Sequence, residues 1–80
     1  MNFYKVTAYK YLDGIKAKAT GFEFEHGTNV NEAYNDAVGF VERLKRYYDE
    51  VTLESIDGGV STVLEVSSKD STLSKSLTAI

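Results

Sequence analysis

From Asn29 to Glu50 the chain sorts its residues as only a helix can. On a wheel advancing about 100° per residue, Val30, Ala33, Tyr34, Ala37, Phe40, Val41, Leu44, Tyr47 and Tyr48 share one broad face. Asn31, Glu32, Asn35, Asp36, Glu42, Arg43 and Arg46 take the other. Asn29 is placed to cap the free N–H groups of the first turn, and Glu32 stands three residues on, as in a capping box. The apolar stripe is too wide for a coiled-coil seam and suits docking onto a sheet. Asp49 and Glu50 oppose the dipole at the far end, so the helix is expected to stop near Tyr48.

The flanking segments supply the sheet. Phe3 to Leu12 alternates, with Tyr4, Val6, Ala8, Lys10 and Leu12 on one side and Phe3, Lys5, Thr7, Tyr9 and Tyr11 on the other. The first set is small and aliphatic in its middle and is expected to face the helix. Asp13-Gly14 is a strong two-residue hairpin signal and sets Leu12 opposite Ile15, Lys10 opposite Ala17 and Ala8 opposite Ala19. Ile15, Ala17 and Ala19 then continue the core face, but the pattern changes phase at Phe22 and Phe24. Gly21 stands at the change, and a glycine inside a strand often marks a bulge. One extra residue there brings Val6 to Phe22 and Tyr4 to Phe24. A second hairpin turns at Asp57-Gly58-Gly59, with a two- or three-residue turn both compatible. In its second arm Val60, Thr62, Leu64 and Val66 read as a core face.

The plan is α+β: ββαββ, a four-stranded antiparallel sheet of order 2-1-3-4 with one helix packed on one face. Residues 1–67 make one domain. Residues 68–80 form a Ser/Thr-rich tail, in which Leu73, Leu77 and Ile80 have the spacing of a short helix after Asp70.

Chemistry is scarce. The chain of 80 residues has no cysteine and one histidine, His26. A lone loop histidine is most often solvated, no serine sits in a nucleophile elbow, and the glycines match no phosphate-binding fingerprint. Neither a catalytic centre, a cofactor site nor a metal site is expected, and no apolar run approaches the ~20 residues of a membrane span. Met1 leads into Asn2-Phe3-Tyr4-Lys5 without the apolar core of a secretory signal, so a cytoplasmic location is expected.

Charge is uneven. Residues 1–20 carry four lysines against Asp13, whereas residues 21–57 carry nine acids against three bases. Two candidate surfaces follow. One is Phe3, Lys5, Tyr9, Tyr11, Lys16 and Lys18 on the outer side of the first hairpin, where Tyr11 faces Lys16 and Tyr9 faces Lys18. Lysine stems over tyrosine rings are ordinary cross-strand packing; the same residues suit a protein interface, or bases stacked on rings with lysines on phosphates. The net charge of −3 and the absence of arginine from this hairpin weigh against nucleic acid. The second is the acidic set Glu32, Asp36 and Glu42, although Glu42 with Arg46, and Lys45 with Asp49, have the spacing of intrahelical pairs.

A one-domain ββαββ plan of this size resembles several small phage-encoded proteins, some of them inhibitors of bacterial defence complexes. The resemblance covers layout alone and transfers no residue. The expectation is a small non-enzymatic protein acting through protein–protein contacts, its own dimer among them, of a phage-type inhibitor or accessory kind. The alternative is a single-stranded nucleic-acid binder using the Tyr/Lys face.

Overall fold

A computed structural model describes residues 2–68. Strands β1 (Phe3–Leu12) and β2 (Ile15–Glu25) precede helix α1 (Val30–Leu44), and β3 (Glu50–Asp57) and β4 (Val60–Ser68) follow it. The sheet is antiparallel, in the order β2-β1-β3-β4. The expected plan therefore holds. The proposed helix within the tail lies outside the described residues.

Local chemistry explains the punctuation. Asp13 and Gly14 both take positive φ, 53° and 79°, as a two-residue turn matched to strand twist requires. Gly58 and Gly59 do the same at 59° and 85°, and Asp57 pairs with Val60, so the second turn also has two residues. The Asn29 side chain accepts the Glu32 N–H at 3.0 Å and caps α1.

The core is one seam. Ala33, Ala37 and Val41 recur every fourth residue on α1 and are buried against Tyr4, Val6 and Ala8 of β1 and Val51 and Leu53 of β3. Small residues share its centre, where Ala8 and Ala37 are both fully buried. Phe24, Val38, Phe40, Leu44 and Tyr48 close the seam's sides.

Four expectations are corrected. First, α1 ends at Leu44, short of Tyr48. Asp49 and Glu50 are recruited by the sheet: the Asp49 N–H donates to Tyr9 O at 3.0 Å and its carboxylate accepts the Tyr11 N–H at 2.7 Å. Glu42 consequently pairs with Lys45, and not with Arg46. Second, the β2 bulge lies at Ala19. Tyr9 pairs with Lys18 and Ala8 with Thr20, leaving Ala19 over, while Gly21 stands in register opposite Thr7. The outcome beyond it is the one expected, Val6 opposite Phe22 and Tyr4 opposite Phe24.

Third, Leu12 and Ile15 are not core; they are 64% and 69% exposed. A fifteen-residue helix is about 22 Å long and a ten-residue strand about 33 Å, so the hairpin tip projects beyond α1. Fourth, β4 contributes no core face. Val60, Leu64 and Val66 are 65%, 47% and 58% exposed, and Thr62 is exposed too. A bulge leaves Leu64 unpaired, between Leu53 paired with Glu65 and Glu54 paired with Val63. Val66, opposite Thr52, is thereby turned to the face away from the helix. The helix sits over β1, and its width of about 10 Å reaches the strands on either side but not a strand two spacings of ~4.8 Å away.

Candidate binding surface

The sheet face opposite α1 carries the alternate residues of every strand, and the registers order them in rows. From the hairpin tip downward these are Lys16–Tyr11, Lys18–Tyr9–Glu50–Ser68, Gly21–Thr7–Thr52–Val66, Glu23–Lys5–Glu54–Val63 and Glu25–Phe3–Ile56–Ser61. The six hairpin candidates Phe3, Lys5, Tyr9, Tyr11, Lys16 and Lys18 all lie on this face. They divide into an upper group around Tyr9 and Tyr11 and a lower pair, Phe3 and Lys5. Between them runs an uncharged row in which Thr7 and Thr52 are buried.

The upper group is a bonded network. The Tyr11 hydroxyl donates to Glu50 Oε1 at 2.8 Å, and Lys16 Nζ lies 2.6 Å from Glu50 Oε2. Lys16 also stands 4.4 Å from the centre of the Tyr9 ring, reaching it diagonally and not from the directly opposite position, which Lys18 holds. Lys18 instead lays its stem over Gly21, where the missing Cβ leaves room. The Lys16 hydrogen bond holds the Glu50 carboxyl below its usual range, with Tyr11 adding to the effect. The same bonds raise the Lys16 ammonium and the Tyr11 phenol above theirs. Glu50 is the central member, and sequence reasoning left it among the acids at the helix end. Only the pairing of β3 with β1 brings it between Tyr11 and Lys16.

On β4, Val63 and Val66 add exposed apolar surface to this face, 56% and 58% accessible. Sequence reading passed over Val63 and put Val66 on the core face, because the bulge at Leu64 breaks the alternation that would have located them.

The acidic candidates do not form one surface. Glu32 and Asp36 line a shallow depression with Glu25 and His26 at the start of α1, whereas Glu42 sits near its end, paired with Lys45. His26 packs against Tyr4 with ring centres 4.5 Å apart, and its Nε2 is buried without a hydrogen-bond partner among the described residues. Among the described residues no three His, Cys, Asp or Glu side chains are grouped to hold a metal ion, and no helix is long and apolar enough to cross a membrane.

Comparison with protein-family models, curated proteins and solved structures returns no match to this chain.

Proposed function

We propose that this protein is a non-enzymatic binding module that engages a protein partner through the open face of its sheet. The observation that carries the reading is the composition of that face. A sheet surface left to water alternates to polar residues. Here exposed Tyr11, Val63 and Val66 and half-buried Phe3, Tyr9 and Ile56 surround an uncharged central row, and among the described residues no helix lies over them. Exposed apolar and tyrosine-rich surface of this kind is characteristic of interaction sites. A small phage-type inhibitor or accessory role in the cytoplasm is compatible with such a module.

Single-stranded nucleic acid fits this face less well. Its rows carry three lysines, Lys5, Lys16 and Lys18, against four glutamates, Glu23, Glu25, Glu50 and Glu54. Lys16 is committed to Glu50 and covers the Tyr9 ring that a base would need.

The test uses the protein as bait in nuclease-treated lysate, beside a Tyr11→Ser, Val63→Glu double variant. A protein retained by the parent and lost by the variant, at unchanged melting temperature, supports the reading. Equal retention by both rules out this face. Binding to a labelled oligonucleotide that falls steeply with salt would transfer the face to nucleic acid.

A further inference from the structure

Among the described residues the sheet ends at β2, so alternate residues of that strand aim their N–H and C=O groups outward with no strand to receive them. The bulge at Ala19 breaks this edge, but from Thr20 to Glu25 the register against Ala8 to Phe3 is unbroken. The two sides of that stretch differ in chemistry. On the open-face side stand the exposed Glu23 and Glu25. On the helix side stand Phe22 and Phe24, and beside them a groove of about 300 Å³ is lined by Phe24, Asn35, Asp36, Gly39, Phe40 and Arg43. Phe22, 46% exposed, packs edge-on against Phe40 with ring centres 4.4 Å apart. Gly39, the only glycine of α1, leaves the groove wall bare, and a Cβ there would meet nothing within 4 Å. Glycine is unfavourable inside a helix, and its effect here is to keep the groove open.

We propose that the β2 edge from Thr20 to Glu25 takes an extended segment of a partner protein as an added strand, one in which lysine or arginine alternates with large apolar residues. The proposal uses a strand edge and a groove and does not rest on the open-face reading. Strand addition fixes the alternation. Residues on one side of the added strand lie beside Phe22 and Phe24 and reach the groove, and those between them lie beside Glu23 and Glu25. Charge complementarity selects the basic residues. None of Glu23, Glu25 and Asp36 forms an ion pair among the described residues, although the register sets Lys5 opposite Glu23. Arg43 is the one base in the groove lining, two helical turns from Asp36. Acids on an edge strand discourage a strand of like sign and favour one of opposite sign. A second copy of β2 brings the same acids and is disfavoured on that ground.

Fluorescence anisotropy with the full chain tests this. The probe is a short labelled peptide alternating lysine with leucine, beside a peptide of the same composition with its lysines and leucines in two blocks. The alternating peptide should bind, more weakly as salt rises, and the blocked order should bind about tenfold less tightly. Glu23→Gln with Glu25→Gln should weaken binding by about tenfold. Gly39→Leu fills the groove and should weaken it by a similar factor, at an equal or higher melting temperature because leucine is the better helix former. Hydrogen exchange of the outward-facing amides of Thr20–Glu25 should slow when the peptide binds. No binding, or equal binding of the two peptides, overturns the proposal and leaves the open-face reading untouched. Binding that survives Gly39→Leu overturns it too, and its loss with Tyr11→Ser, Val63→Glu instead would assign the peptide to the open face. Outward-facing β2 amides already protected in the free chain would show the edge to be closed and would equally overturn it.

Discussion

Leu53→Ala and Leu64→Ala delete the same atoms from neighbouring strands, yet their costs should differ severalfold. Leu53 is 1% exposed, pairs with Val6 and lies in the seam between β1, β3 and α1. Its neighbours Val6 and Val51 are β-branched and held by the sheet, so they cannot collapse into the vacated space. The expected loss is about 3 kcal/mol, the transfer cost of the deleted carbons plus that of the cavity. Unfolding entropy near 2.1 cal/mol/K per residue makes 1 kcal/mol worth about 6 °C in a chain of this length, so the melting temperature should fall by about 18 °C. That is a large part of a total stability of roughly 4–12 kcal/mol. Leu64 is 47% exposed, and among the described residues no helix lies above it. Its truncation returns only part of a side chain to water and leaves no cavity, so the expected loss is below about 1 kcal/mol, or ~6 °C. Circular-dichroism melts at about 5 μM protein read both values where self-association does not contribute. Comparable losses for the two variants would mean that β4 is covered and that the helix does not define the edge of the core.

Two further outcomes follow from the open face and the first hairpin. Because the folded Glu50 carboxyl lies below its ordinary value of 4.5, its contribution is complete above that pH and is lost as pH falls through the lower folded value. Lys16 and Tyr11 are raised, so theirs is complete below 10.5 and 10.0 and is lost as pH rises through the higher folded values. The difference in melting temperature between the parent and Glu50→Gln should therefore be flat from about pH 5 to 9 and shrink on both sides; an unchanged difference at about pH 3 would remove the network from the account of stability. Gly21→Ala should be neutral or stabilise by up to about 1 kcal/mol, since φ there is not positive and a Cβ would meet only Lys18 Cε at 3.4 Å and Val6 O at 3.6 Å. Gly14→Ala, at φ 79°, should lose about 1 kcal/mol or more in the same melts, and a matching loss at Gly21 would return the strain to that position.

Several features were legible in the amino-acid order because covalent neighbours settle them. Asp13-Gly14 tolerates the positive φ values of its turn, and that turn dictates that Tyr11 meets Lys16. Asn29 caps the helix through an oxygen three residues from the N–H it accepts. The order of the strands follows from two hairpins and one returning helix. Other features depend on how far one element reaches across another, and no local pattern records that distance. Gly21 is the bulge signal in β2, yet the bulge lies two residues earlier at Ala19, where it accompanies the joint packing of Phe22 and Phe24 beside Phe40. Glu50 looks like a helix-end acid until β3 lies beside β1. Val60, Thr62, Leu64 and Val66 carry the alternation of a core strand, but a bulge divides them. One helix about 10 Å wide cannot cover four strands spaced ~4.8 Å apart, so the same valines that would fill a core are left along an open edge.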